Sequence, residues 1–595
     1  MARIRAPELV GRGWVGVESL SLAELRGRFA LIDFWTFCCI NCLHVLDELR
    51  PLEERWGDVV TVVGVHSPKF SHEADPDALA DAIVRYEVTH PVLDDADMTT
   101  WQAYAARAWP TLVLVDPEGF IVARYAGEGH VHAIDALLSE LVPQAERRGL
   151  LRAGGGPALA PVPESDGLLF PSAVLGLSDG RWLVSDTAHH QLAVLDADAE
   201  RIVARIGTGV RGHRDGGPSE AQLNEPAGLC LLPPQVARAV GYDVVVADSV
   251  NHALRGLTLD DGQLRTVAGT GRAWTPTDPS SLSSPRDVAW WDERVWVAMA
   301  GIHQIWSFDP VTGTAAPVAG TRTEGLRDGP LDEAWFAQPS GLAPDSDRLW
   351  LVDAETSALR YVRDGAVHTV VGSGLFDFGF RDGGRDRARL QHPLGVIVLP
   401  DATIGVCDTF NGALRVFDPA AGELTTAAAG LREPSGAALD GGAVLVVESA
   451  AHRLVTVPLD ARARASGTAE RSERPPTPIA GGHVSLQVVF AAPAGQRLDE
   501  RYGPPTRLTV SATPAALLRS GDGAGTQMRR SLDVDASVGS GVLHVTATAA
   551  SCDEGSGEGA SCHLHQQDWG IPVQVAPDAP GVLVLVLGGP EAQDE

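Results

Sequence analysis

The chain has 595 residues, of which 44% are hydrophobic and 21% charged, a composition typical of a globular protein with about three or four domains. Its formal net charge of −30 argues against nucleic acid or an anionic membrane surface as a partner. The first residues lack the apolar core of a signal peptide, and no apolar stretch of about 20 residues follows. Seven cysteines, three of them within residues 38–42, do not fit a secreted disulfide framework. We therefore expect a soluble, cytoplasmic protein.

The first strong pattern is an apolar run through Asp33, which predicts a buried strand over 29–35. A Cys-x-x-Cys follows at Cys39 and Cys42. Residues spaced as one face of a helix come next: His44, Val45, Leu46, Leu49 and Leu52. The free N–H groups and the positive dipole at a helix start favour a thiolate, and there a cysteine pKa falls from about 8.5 to roughly 3.5–7.5. Cys39 is thus the candidate nucleophile, and Cys42, one turn later, the candidate resolving thiol.

The following elements continue an alternating order. We expect strands at 59–65, 112–115 and 120–124, and helices at about 76–87 and 131–147. Strand, helix, strand, helix, hairpin and helix resembles a thioredoxin-like domain of the TlpA-like branch, and so do the Asp-Phe-Trp before the Cys pair and the Trp-Pro-Thr at 109–111. The resemblance implies that Pro110 is a cis-proline facing the Cys pair and that Asp33 is a buried acid relaying a proton to the resolving thiol. The chain departs from the family with Cys38 where tryptophan is usual, and with Ile-Asn between the two cysteines.

Other interpretations of this segment stay open. A Cys-x-x-Cys is also half of a zinc site, although no second one follows. The domain could be an inert thioredoxin-like shell, and Asp33 an ordinary acid in a strand. Cys38 is either a partly buried small apolar residue or a thiol that pairs with another protein. We expect no cofactor and no metal at this site.

A Gly- and Pro-rich linker at 150–167 separates this domain, 1–149, from a repeat. Six units each have an apolar strand ending in a marked residue, a polar or small residue four positions on, and an aliphatic residue two after that. The marks are Asp186/His190/Leu192, Asp248/His252/Leu254, Met299/His303/Ile305, Asp353/Ser357/Leu359, Asp408/Gly412/Leu414 and Glu448/His452/Leu454. This period predicts a six-bladed β-propeller over 168–460, whose acids cap turns.

Arg-Asp-Gly also recurs three times, at 214–216, 327–329 and 381–383, each with a proline 11 residues after the Asp. These loops could form a ring of charge on one face of the propeller. The interpretation we favour is that each Arg and Asp holds its own loop in place.

A second linker is expected at 461–482, followed by alternating strands at 483–491, 506–513, 541–549, 571–577 and 581–587. These predict a small β-sandwich over 483–595. Its chemical feature is Cys552, then Cys562-His563-Leu-His565. A disulfide, a metal site or two unpaired thiols are all compatible with that spacing.

The order of the three parts resembles the NHL repeat-containing thioredoxin-like family, as do the stretch around Cys38–Cys42 and His66-Ser-Pro-Lys-Phe70. The hypothesis is a thiol–disulfide oxidoreductase acting on protein partners, with Cys39, Cys42, Asp33 and Pro110 as site residues and the propeller as partner-binding platform. The alternative is a non-catalytic scaffold whose thioredoxin-like domain is structural or redox-sensing. Reduction of a disulfide reporter and titration of Cys39 would discriminate the two.

Overall fold

The computed structural model describes residues 4–152, 154, 156–157, 165–275, 278–459, 469–471, 476–492, 496–498, 504–553 and 562–588. The chain divides into two compact units. Unit one combines Met1–Val162 with Glu473–Glu595, and unit two is Pro163–Ser472. No helix in the described ranges is both long and apolar enough to cross a bilayer.

A six-stranded sheet forms the first part of unit one, in the order β1-β4-β3-β2-β5-β6. Its strands are β1 Gly13–Val15, β2 Phe29–Trp35, β3 Val60–His66, β4 Val92–Asp94, β5 Thr111–Val115 and β6 Ile121–Ala126. Its helices are α1 Ile40–Trp56, α2 Pro76–Arg85, α3 Thr99–Ala103 and α4 Val131–Arg147, with a 3₁₀ turn at Ser71–Ala74. Strand β2 is fully buried, parallel to β3 and antiparallel to β5. The loop that follows the carboxyl end of β2 and leads into α1 therefore starts from the middle of the sheet.

The C-terminal part of unit one contains two further sheets. Their strands are Thr477–Ile479, Gly482–Phe490, Gln496–Leu498, Thr506–Thr513, Leu518–Ser520, Gly523–Gly525, Arg529–Val534, Ser540–Asp553, Cys562–Val575 and Val582–Gly588, with a 3₁₀ turn at Ala515–Leu517. Ala108 of the N-terminal part belongs to the buried apolar cluster of these sheets, and the rings of His130 and His565 stack with centroids 5.4 Å apart. The segment expected as a separate domain thus packs on the thioredoxin-like part.

The described residues of unit two form six consecutive antiparallel sheets and a small two-stranded one. The six sheets are Val174–Gly176, Trp182–Asp186, Gln191–Leu195, Ile202–Ile206; Pro226–Leu231, Val244–Asp248, Ala253–Leu257, Leu264–Ala268; Pro285–Trp291, Arg294–Met299, Gln304–Asp309, Thr314–Ala319; Gly329–Pro330, Pro339–Pro344, Leu349–Asp353, Ala358–Arg363, Ala366–Val371; Gly383–Gly384, Gly395–Val398, Ile404–Asp408, Ala413–Asp418, Glu423–Ala429; and Pro434–Asp440, Ala443–Glu448, Arg453–Pro458. Asp377–Gly379 pairs with Ala469–Arg471, and Pro234–Val240 is helical. Short 3₁₀ turns lie at Thr187–His189, Ala300–Ile302, Thr409–Asn411 and Ser449–Ala451. Residues from one strand of each of the six sheets line a cavity of about 510 Å³.

Three of the repeated acids occupy the same position in a buried ion-pair network. Asp248, Asp353 and Asp408 each contact a fully buried arginine seven residues later: Arg255, Arg360 and Arg415. The same arginines bind the Asp of the three Arg-Asp-Gly sequences, namely Asp215, Asp328 and Asp382. Each of these loops is thereby fastened to the sheet that follows it.

The sequence predicts that the repeated acids cap their own turns by accepting from backbone N–H groups. Among the described residues, Asp248, Asp353 and Asp408 do not make these hydrogen bonds. The Asp248 carboxylate accepts from the backbone N–H of Asn224, in the segment before its sheet, and from the side chain of Asn251 in the turn. Asp353 likewise accepts from the N–H of Ala337. The carboxylates face the preceding segment because the arginine holds them there.

Candidate functional site

The Cys-x-x-Cys lies where the central strand β2 passes into helix α1. Cys39 is the N-cap residue of α1, which begins at Ile40, and its carbonyl accepts from the backbone N–H of Cys42 at 3.0 Å. Both thiols are free. Cys39 is partly exposed and Cys42 is completely buried, so the first residue is accessible from solvent and the second is not.

The two thiols are linked electrostatically. Burial is the largest cause that raises the pKa of Cys42 well above its usual range, followed by a side-chain hydrogen bond with Cys39 and by the charges of Cys39 and Asp33. The raised pKa keeps the Cys42 thiol protonated at neutral pH.

Asp33 lies in β2, the strand that precedes the Cys pair. Its side chain is fully buried, and neither carboxylate oxygen has a hydrogen-bond partner among the described residues. Burial, with a smaller contribution from the charge of Glu53, raises the pKa of Asp33 to about 8. This carboxyl changes protonation near neutral pH, the range in which a general acid–base group works.

Pro110 immediately precedes β5, and the Trp109–Pro110 peptide bond is cis, as the resemblance implied. Thr111 lies opposite Phe34 in the antiparallel register, so Pro110 is at the end of the sheet from which the Cys39 loop departs. The carbonyl of Pro110 accepts from the N–H of Gly127 at 2.9 Å, and the Trp109 indole donates to the carbonyl of Ser67.

Cys38 is buried, with 6% of its surface exposed. Its backbone N–H donates to the carboxylate of Glu73 at 3.0 Å. The same carboxylate accepts from the Thr36 hydroxyl and from the backbone N–H groups of Lys69 and Phe70. Glu73 thus holds the loop that leads into the Cys pair.

Sequence reasoning missed Glu73 because it is distant in the chain and lies in a 3₁₀ turn with no periodic pattern. The nearest signal is the family-like stretch 66–70, which ends three residues before it.

A second polar cluster lies on α1 just after the Cys pair. His44 Nδ1 is 2.5 Å from Glu128 Oε2. Burial opposes the charge on His44, but Glu128 outweighs it and the pKa of His44 is raised. Burial, together with Glu128, raises the pKa of Glu48 to about 7. These groups connect α1 to the loop that binds Pro110.

The C-terminal cysteine motif is far along a long hairpin. Cys552 is buried and disulfide-bonded, and Cys562 lies directly opposite it in the strand register. A disulfide sulfur is not a thiolate ligand, so the expected alternative of a metal site using Cys552 does not fit. His565 is buried and its Nε2 is 2.8 Å from the Ser551 hydroxyl. Residues 554–561 and the His563 side chain lie outside the described residues.

Comparison with known proteins agrees with the geometry. A family model described as Thioredoxin-like matches residues 27–121. Protein SUPPRESSOR OF QUENCHING 1, chloroplastic, of Arabidopsis thaliana is 33% identical over 446 residues, which are 70% of this chain and 41% of that protein. NHL repeat-containing protein 2 of Bos taurus is 34% identical over 467 residues, 70% of this chain and 62% of the relative. Thiol-disulfide oxidoreductase YkuV of Bacillus subtilis is 22% identical over 141 residues, covering 24% of this chain and 95% of that enzyme.

The matched stretch spans less than two thirds of the length of the plant and bovine relatives. The similarity nevertheless extends well beyond the thioredoxin-like residues, since it covers about 70% of this chain in both cases. The resemblance found in the sequence is therefore confirmed: the chain carries a thioredoxin-like domain and is a relative of the NHL repeat-containing thioredoxin-like proteins.

Proposed function

We propose that the protein is a thiol–disulfide oxidoreductase that acts on disulfides of protein partners. The observation that carries the proposal is the asymmetry of the Cys pair. Cys39 is partly exposed at the start of a helix, and Cys42 is buried behind it next to Asp33. An accessible nucleophile followed by a protected resolving thiol is the arrangement that thiol–disulfide exchange requires.

The chemistry proceeds in two displacements. The Cys39 thiolate attacks one sulfur of the substrate disulfide, forming a mixed disulfide and releasing the first substrate thiol. Asp33 loses its own proton and then, as a carboxylate, accepts the proton of Cys42, whose thiolate attacks the Cys39 sulfur and releases the second thiol. The products are a reduced substrate and a Cys39–Cys42 disulfide, which an external dithiol must reduce for the next cycle. Pro110 borders the groove for the substrate backbone.

The proposal also assigns roles to unit two and to the C-terminal sheets of unit one. The six sheets around one cavity support a six-bladed propeller, and the two C-terminal sheets support a β-sandwich. The propeller would hold a protein partner near Cys39 and raise its effective concentration. Five cysteines form no disulfide, whereas Cys552 does, and on that majority we propose a reducing cytoplasm as the location.

The test is reduction of insulin disulfides by the purified full-length chain with dithiothreitol as electron donor. Wild-type protein and the Cys38→Ser variant should be active, and Cys39→Ser inactive. The Cys42→Ala variant should accumulate covalent partners on Cys39, which mass spectrometry can identify. Equal rates for wild type and Cys39→Ser would overturn the proposal and leave the scaffold hypothesis.

A further inference from the structure

The cavity in unit two has a wall that repeats from sheet to sheet. Its volume of about 510 Å³ falls within the roughly 300–1,000 Å³ of small-molecule sites. We call the strand of each sheet that lines the cavity its inner strand. Each inner strand begins at a proline or shortly after one, and these prolines are Pro171, Pro226, Pro285, Pro339, Pro393 and Pro434. Positions counted from the proline can therefore be compared among the six sheets.

The second residue after the proline lies where neighbouring inner strands approach most closely. It is glycine in four sheets: Gly228, Gly341, Gly395 and Gly436. A Cβ atom at Gly395 would lie 2.5 Å from the carbonyl oxygen of Ser435, and one at Gly436 would lie 2.6 Å from that of Ser172. A side chain therefore does not fit between these strands. In the third sheet the same position holds Asp287.

The carboxyl group of Asp287 has a structural explanation. Its Oδ1 accepts from the backbone N–H of Val288 at 2.8 Å, and its Oδ2 accepts from that of Leu342 at 2.7 Å. Leu342 belongs to the inner strand of the fourth sheet, so Asp287 joins two sheets. Burial raises the pKa of Asp287 to about 7, although these hydrogen bonds and the charge of Arg286 oppose the rise. Asp287 is therefore only partly ionised at neutral pH.

The preceding residue, Arg286, has no such explanation. The first position after the proline is small or neutral in the other five sheets: Ser172, Ala227, Ser340, Leu394 and Ser435. The strand register shifts between Pro285 and Asp287, so Arg286 is the extra residue of a β-bulge. It is partly exposed and lines the cavity, and within the described part of the chain its guanidinium forms no ion pair or hydrogen bond. A cation with free donors thus lies at the cavity wall.

The wall beyond Arg286 is apolar. The third position after the proline holds Val174, Leu229, Val288, Leu342, Val396 and Ala437. The fifth position holds Leu231, Trp290, Pro344, Val398 and Leu439, with glycine in the first sheet. Leu231 is 40% exposed and Leu439 is 43% exposed, so this end of the cavity is open to solvent. From the first to the fifth position the strand rises by about 13 Å.

We propose that this cavity binds an elongated apolar carboxylate, such as a medium-chain fatty acid, with Arg286 as the anchor of the carboxylate group. A guanidinium pairs with a carboxylate through two parallel hydrogen bonds, which a neutral head group cannot form. The chain runs along the third and fifth positions, where its burial removes apolar surface from water. Such binding is a property of unit two alone and is independent of the chemistry of Cys39.

The test compares an acid and an alcohol of equal chain length on the full-length protein. Dansyl-undecanoic acid is bound first and its fluorescence is followed while decanoate or decanol displaces it. The variant is Arg286→Met, and the exposed arginine variant Arg238→Met is the matched control in unit two. In wild type and Arg238→Met, decanoate should displace the probe at a concentration at least ~10-fold lower than decanol does. In Arg286→Met the two competitors should be equally effective.

Two further variants locate the ligand. Undecanoic acid brominated at the chain end quenches tryptophan fluorescence on contact, and Trp290→Phe should lose the saturable part of this quenching. Leu231→Glu places a negative charge at the exposed end and should weaken decanoate binding by at least ~5-fold. The proposal would be overturned by a wild type without saturable binding, by an unchanged preference for decanoate in Arg286→Met, or by unchanged quenching in Trp290→Phe. Unchanged decanoate binding in Leu231→Glu would overturn it as well.

Discussion

Replacing Asp33 by asparagine should stabilise the protein in a strongly pH-dependent way. The pKa of Asp33 is raised from 3.8 to about 8 by burial and by Glu53. Between these values the unfolded chain is ionised while the native carboxyl keeps its proton, so the native state binds more protons and stability falls as pH rises. Each pH unit above 3.8 lowers the free energy of unfolding by about 1.4 kcal/mol, which amounts to ~4 kcal/mol at pH 7. Asparagine carries no charge and escapes this cost.

Asp33→Asn should therefore raise the opening free energy of β2 by up to ~4 kcal/mol at pH 7, and have almost no effect below about pH 4, where both states are protonated. Hydrogen exchange of the peptide 29–35, followed by mass spectrometry in the full-length chain and corrected for intrinsic rates, measures this energy. Asp77→Asn, at an exposed position, serves as the control and should stay within about 0.5 kcal/mol. A gain of the same size at pH 4 and pH 7, or no gain at either, would refute the assignment of Asp33 as a buried acid with a raised pKa.

Three further changes test other parts of the structure. Glu73→Gln places an amide NH₂ group against backbone N–H donors and should lower the free energy of unfolding by ~2–3 kcal/mol, measured by thermal denaturation. It should also slow alkylation of Cys39, measured by timed labelling. Unchanged values for both would contradict the role of the Glu73 carboxylate. Arg360→Met leaves Asp353 as an unpaired buried charge and should destabilise unit two by ~3–5 kcal/mol, part of which the added Asp353→Asn should restore in urea unfolding; a harmless single substitution would rule out the buried pair. Burial raises the pKa of Cys407 to about 12, so iodoacetamide at pH 8 should label Cys39 and leave Cys407 unmodified in peptide mapping, and equal labelling would be inconsistent with its burial.

The sequence pattern sufficed for a short apolar run and for a helix with one apolar face. The expected strand at 29–35 and helix at 131–147 match Phe29–Trp35 and Val131–Arg147. It failed in the long C-terminal hairpin, where polar residues occupy several buried positions. The strand expected at 571–577 is the end of Cys562–Val575, whose earlier residues include the buried His565 and Gln567.

Contacts between segments that are distant in the chain could not be predicted from the sequence. The position of the cysteines at a helix start depends only on neighbouring residues, so Cys39 and Cys42 could be placed from their spacing alone. The carboxylate of Glu73 reaches the loop before Cys39 only because the fold brings a 3₁₀ turn beside it. The contact between His90 and Glu53 likewise depends on how α1 crosses the sheet.

Unit one is assembled from segments that precede and follow unit two in the sequence, and this order has a consequence for synthesis. Translation proceeds at about 5–20 residues per second, so the roughly 300 residues of Pro163–Ser472 delay the C-terminal sheets by on the order of 15–60 seconds. During that interval Ala108 and His130, which pack against those sheets, have no covering surface from them. The thioredoxin-like part of a nascent chain therefore stays incomplete while unit two is being synthesised, which makes this surface a candidate for chaperone capture.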